Sequence, residues 1–143
     1  MLGYEFAKQF IGKHEIKDRK ELADFMKKYK MPIDPANTPW CAAFVNACER
    51  AVGNAGTGKY NARSFLTYGR LVTKNQARKG DIVIFSRGGS SWQGHVTYFD
   101  GWEESRDGLM IRCLGGNQGD MVKYAWYPAS RLLGFRRLLC RIQ

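Results

Sequence analysis

The sequence contains no Cys-x-x-Cys pair and only two histidines, His14 and His95. Protein-held metal ions draw their ligands from clusters of such residues at short spacing. Neither a metal nor a cofactor is therefore expected. No apolar run approaches the roughly 20 residues that cross a bilayer, and Met1 to Gln9, interrupted by Glu5 and Lys8, lacks the apolar core of a signal peptide. Acidic residues are also scarce, 13 against 23 Lys and Arg, for a net charge of +10. An excess of that size points to an anionic partner: nucleic acid, an anionic membrane face or the bacterial envelope. Repeats, low-complexity tracts and linker-like segments are missing too. The 143 residues match one domain of ordinary size, so residues 1–143 are read as a single domain and a monomer.

Four cysteines are present, Cys41, Cys48, Cys113 and Cys140. Without a signal peptide free thiols are expected, with a Cys113–Cys140 disulfide left open. The first half reads as helical. Phe6 and Phe10 suggest a short N-terminal helix. Asp18 and Glu21 resemble a capping box, and Leu22, Phe25, Met26 and Tyr29 then recur at helical spacing. Met31 to Asn37, with two prolines, reads as a loop. A central helix follows, with Thr38 as N-cap and Pro39 in its first position. Cys41, Phe44, Val45, Cys48 and Val52 form its apolar stripe, and Gly53 ends it. Asn61 opens a further short helix that stops near Gly69. The second half reads as strands: Asp81 to Phe85, His95 to Phe99, Met110 to Leu114, Met121 to Trp126 and Gly134 to Leu139. Helices followed by strands predict an α+β fold with an antiparallel sheet of about five or six strands.

Thiol catalysis needs a thiolate, a base and a group that orients the base. Cys41 sits in the predicted first turn of the central helix, where unpaired backbone N–H groups and the helix dipole favour negative charge. The same amides suit an oxyanion. A cysteine on an apolar helix face is otherwise a small core residue, which describes Cys48 and Cys113 better. His95 opens a strand directly after Gly94, whereas His14 lies in a charged stretch. For the orienting group, Gly115-Gly116-Asn117-Gln118 follows a strand, and the Asn117 carbonyl is placed to accept from an imidazole N–H. Asp120 competes on spacing alone.

The order Cys, His, Asn, with the cysteine on a helix and the histidine on a strand, resembles the papain-like superfamily. Within it the chain is similar to the CHAP and NlpC-type cell-wall peptidases, small phage and bacterial enzymes of endolysin type. The resemblance is carried by Thr38-Pro-Trp-Cys-Ala-Ala-Phe-Val45, Ala62-Arg-Ser-Phe-Leu66, Lys79-Gly-Asp-Ile-Val-Ile-Phe85, Trp92-Gln-Gly-His-Val96, Leu114-Gly-Gly-Asn-Gln118 and Arg131-Leu-Leu-Gly134. It implies Cys41 as nucleophile, His95 as base, Asn117 as orienting residue, and Trp40, Trp92 and Gln118 in contact with substrate. The implied reaction is hydrolysis of an amide in bacterial peptidoglycan, either the muramoyl–L-alanine bond or one in the stem peptide or cross-bridge. The implied place of action is the cell wall, reached by release, injection or as part of a virion. One departure is visible: many CHAP domains carry Glu two residues before the Asn, and here that position is Gly115. Two other readings fit the charge or the fold alone. One is a basic nucleic-acid-binding module, although no helix-turn-helix, zinc-finger or RNP signature is present. The other is a silent wall-binding or virion protein with the same fold.

Overall fold

The structure is a computed structural model that describes residues 1–138. Three helices come first: α1 (Gly3–Ala7), which runs into a 3-10 turn at Lys8–Phe10, α2 (Arg19–Lys28) and α3 (Cys41–Ala51). A 3-10 segment, Ala62–Thr67, leads to six strands: β1 (Arg70–Val72), β2 (Ile82–Ser86), β3 (Gly94–Ser105), β4 (Gly108–Gln118), β5 (Met121–Pro128) and β6 (Leu132–Arg137). All pairings are antiparallel, in the order β1-β6-β2-β3-β4-β5. The expected α+β class and strand number therefore hold. β1 was not foreseen, because three residues are too short to display an alternation. The predicted strand end at Leu139, and Cys140 with its possible disulfide, lie outside the described residues.

Alternation along β2 divides the core between the two faces of the sheet. Ile82 and Ile84 join Val96, Tyr98, Leu114 and Val122 beneath the helices, packed against Trp40, Phe44, Phe25 and Met26. Val83 and Phe85 turn the other way, to Val72, Phe99, Ile111, Cys113 and Phe135. α2 buries Leu22, Phe25 and Met26, the stripe read from the sequence. Its capping box does not form. Asp18 Oδ2 accepts instead from the His14 backbone N–H at 2.9 Å, and Glu21 pairs with Lys13.

Two local features shape the surroundings of Cys41 and His95. α3 begins later than expected, with Trp40 as N-cap, so Thr38 and Pro39 precede the helix and Cys41 is its first residue. Its first turn is closed by the Phe44 N–H on the Trp40 carbonyl at 2.9 Å. Gly53 follows the helix at φ 91°, as a C-terminal glycine should. The second feature is an opening in the sheet. Pairing of β3 with β4 starts at Tyr98↔Leu114, so His95 to Thr97 lack ladder partners on that side. β4 continues beside β5 and slips register between Gly115 and Gln118. Gly119 and Asp120 (φ 58° and 65°) then make a two-residue turn with both residues left-handed, as in a type I′ hairpin.

Candidate active site

The start of α3 meets the opening between β3 and β4. Cys41 is 6% exposed and His95 1%. The Val96 N–H, left free by the missing ladder, is directed at the Cys41 thiol, together with the N–H groups of Cys41 and Ala42. Cys41 thus lies against the strand residue next to His95. Burial is the largest influence on the thiol and pushes its pKa up, whereas the three amides and the Arg87 guanidinium favour the thiolate. Those amides are also the donors that an oxyanion formed at Cys41 would meet.

The hydrogen-bond network determines the state of the His95 ring. Gln118 Nε2 donates to the Lys123 carbonyl at 2.6 Å and makes a longer contact to the Cys113 carbonyl at 3.5 Å. An amide nitrogen is required where two carbonyls face it, so Gln118 Oε1 is the atom turned towards His95. Oε1 lies 2.8 Å from His95 Nε2. Since that oxygen only accepts, Nε2 carries the proton. Nδ1 is then the basic nitrogen of the neutral ring, and it is buried without a hydrogen-bond partner among the described residues. Burial first, then the charges of Arg87 and Arg131, lower the His95 pKa to about 4, against the opposing bond from Gln118. Burial therefore favours the uncharged forms of both groups, thiol and neutral imidazole.

Tyr127 completes this environment. Its ring lies 5.2 Å from that of His95 and 4.9 Å from that of Phe85. Its hydroxyl donates to Gln118 Oε1 at 3.2 Å. Burial raises its pKa to about 12, so the hydroxyl stays protonated and able to donate. Above the ring, 5.2 Å away, sits the Arg131 guanidinium, whose Nε and Nη2 both donate to the Ser86 carbonyl at 3.0 and 2.9 Å. The loop between β2 and β3 is stitched to the 3-10 segment by Arg63, which donates to the Gln93 and Ser90 carbonyls at 2.8 and 2.9 Å.

Three sequence expectations change. Gln118, and not Asn117, is the hydrogen-bond partner of His95. Asn117 adopts a left-handed conformation, φ 59°, at the register slip, and this carries the next side chain to the ring. Asp120 is spent on the turn and accepts through its carbonyl from the Glu15 N–H at 2.9 Å. Gln118, 2% exposed, is accordingly not placed for direct contact with substrate. Trp40 walls no open cleft: it is fully buried, its indole N–H donates to Glu15 Oε1 at 2.9 Å, and its ring meets Phe44 edge-on. Trp92 is 71% exposed on the β2–β3 loop. The glycine at the position where Glu was expected also has a physical reason, since a Cβ on Gly115 would land on Thr97 Oγ1. The sequence reading missed Tyr127, Arg87 and Arg131. Only the Arg131-Leu-Leu-Gly134 block hinted at the last.

A groove of about 710 Å³ lies elsewhere, between α2 and Pro32–Asp34, and none of these residues lines it. Among the described residues no group of three or more His, Cys, Asp or Glu is arranged to hold a metal ion. No helix there is long and apolar enough to cross a membrane. Compared with known families, residues 33–117 match the CHAP domain. No curated protein matches the chain.

Proposed function

We propose, from the premise that the chain belongs to the CHAP domain family, that it hydrolyses an amide of bacterial peptidoglycan with Cys41 as nucleophile and His95 as base. Family membership points to peptidoglycan as the substrate and to cysteine- and histidine-dependent hydrolysis. The observation that carries the assignment of residues is the state of His95: Nε2–H held by Gln118 Oε1, Nδ1 buried and unpartnered, and Cys41 at a helix start against the adjoining strand residue.

In this reading His95 Nδ1 takes the Cys41 proton as the sulfur attacks the amide carbon. The N–H groups of Cys41, Ala42 and Val96 stabilise the charge on the attacking sulfur and on the carbonyl oxygen. The imidazolium then protonates the leaving amine. Water, deprotonated by the same nitrogen, releases the acyl group from sulfur. Gln118 is a positioning residue, keeping the proton on Nε2 throughout, and Tyr127 holds Gln118.

Clearing of a suspension of bacterial walls tests this reading. Wild-type protein lowers the turbidity and Cys41→Ala does not; full clearing by Cys41→Ala would sink it. Mass spectrometry of the released fragments then separates an amidase of the muramoyl–L-alanine bond from a stem-peptide or cross-bridge endopeptidase.

A further inference from the structure

Arg131 lies over the Tyr127 ring, which is itself 5.2 Å from that of His95, and holds the carbonyl of Ser86, the residue before Arg87; neither arginine has a carboxylate partner among the described residues. Arg87 follows β2 directly and is exposed. Arg131 is half-buried and fixed by its contacts. Arg19, Arg112 and Arg137 each face an aspartate, whereas Arg50, Arg63, Arg70, Arg78, Arg106 and Arg136 also have no ion-pair partner among the described residues, so position beside His95 is what sets Arg87 and Arg131 apart.

Both charges act on His95, and Arg87 acts on Cys41 as well. An unbalanced positive pair beside a base opposes the imidazolium that proton transfer creates. Its retention there is reasonable if the substrate brings the missing negative charge. A guanidinium held by a backbone carbonyl loses little further freedom on meeting a planar anion, and its fork matches a carboxylate.

We propose that Arg87 and Arg131 form a carboxylate subsite at the rim of the site, selecting a peptide with a free carboxylate beside the amide to be cleaved. The proposal rests on the hydrolase reading for the identity of that amide. Occupation of the subsite would balance the two charges, so the substrate itself eases protonation of His95.

The test uses two synthetic stem peptides that differ only in a carboxylate or carboxamide on the residue adjoining a candidate amide. Wild-type kcat/KM is expected to favour the carboxylate by about tenfold or more, the usual worth of one charge-assisted hydrogen bond. Arg87→Gln and Arg131→Gln each pull that ratio towards one, and Arg131→Lys keeps part of it. The ratio corrects for any loss of folded protein, and Arg87, exposed and without a partner, gives a variant free of that concern. Calorimetry with Cys41→Ala protein reads binding without hydrolysis. Discrimination there, with neither peptide cleaved by wild type, would overturn the hydrolase reading and leave the subsite. Cleavage of both peptides at one rate, or a ratio unchanged in both Gln variants, overturns the subsite and leaves the hydrolase. Glycerol phosphate that displaces the carboxylate peptide with equal affinity also overturns it, in favour of a general anion site for wall phosphates.

Discussion

Replacing Gln118 by Leu tests the positioning of His95 directly, because Leu fills similar space and has no polar atom. Three hydrogen bonds disappear: Oε1 to His95 Nε2 at 2.8 Å, Oε1 to the Tyr127 hydroxyl at 3.2 Å, and Nε2 to the Lys123 carbonyl at 2.6 Å. His95 is left with a buried N–H and no acceptor, at a cost of about 1–3 kcal/mol. The Lys123 carbonyl loses its partner at a similar cost, whereas the half-buried Tyr127 can turn to water. The expected loss of stability is about 2–5 kcal/mol, measured by urea denaturation. Activity carries the more specific consequence. Without an acceptor at Nε2 the proton is no longer confined there, and the share of rings offering a basic Nδ1 falls. One hydrogen bond of ~1.4–2.8 kcal/mol corresponds to about a 10- to 100-fold fall in kcat/KM per folded molecule. Asn117→Gly is the control, since it deletes that side chain and keeps the left-handed backbone. It should stay within about threefold of wild type, the range of a surface change. Nitrogen-15 spectra of the histidine ring should show a protonated Nε2 in wild type and in Asn117→Gly, and a mixture in Gln118→Leu. The reasoning is refuted if Asn117→Gly carries the activity loss and Gln118→Leu does not.

Acid should weaken the fold through His95. Its folded pKa lies near 4 against an ordinary 6.5, so between those values the unfolded chain binds the proton and the folded chain does not. This contribution is intact above pH 6.5 and falls by about 3 kcal/mol as pH drops towards 4. Melting temperatures followed over that range should fall less steeply for His95→Gln; equal slopes would contradict the assignment. Gly116→Ala places a Cβ 2.6 Å from Trp40 Cζ3 and 3.1 Å from Phe44 Cβ. A cost of about 1–3 kcal/mol in denaturant unfolding is expected, and an unaffected midpoint would mean that Trp40 yields freely. Trp92→Ala, at a side chain 71% exposed, should leave stability within about 0.5 kcal/mol. It should raise KM several-fold if Trp92 meets substrate, and an unchanged KM would remove it from the site.

Periodicity was a reliable guide where it ran undisturbed. The stripe of α2, the order of helices and strands, and the placing of Cys41 at a helix start all follow from residue spacing. It failed where the backbone breaks its own rule. Gly115 faces Thr97 and Gly116 faces Trp40, so strict alternation returns Asn117 to the Thr97 side. A left-handed residue at 117 moves that place to Gln118. Nothing in the composition of Gly-Gly-Asn-Gln signals which residue absorbs the slip. Trp40 was misread for a related reason: adjacency to Cys41 in sequence says nothing of which way the indole points, and its partner, Glu15, lies 25 residues earlier. Arg87 and Arg131 could not be singled out among 23 basic residues before the chain brought them to one site.

The segment that precedes α2 fastens both halves of that site. Gly12 N–H donates to the Val122 carbonyl, Val122 N–H to the Lys13 carbonyl and Glu15 N–H to the Asp120 carbonyl, at 2.8, 3.0 and 2.9 Å. The Glu15 side chain meanwhile holds Trp40, the residue before Cys41. One short stretch thus braces the hairpin behind Gln118 and the foot of the Cys41 helix, and it lies wholly before the family match at residue 33, as Gln118 lies just past its end at 117. A graft cut at the borders of the recognisable family would carry Cys41 and His95 away from their scaffolding. The smallest portable unit is therefore wider than the stretch by which its kinship is recognised.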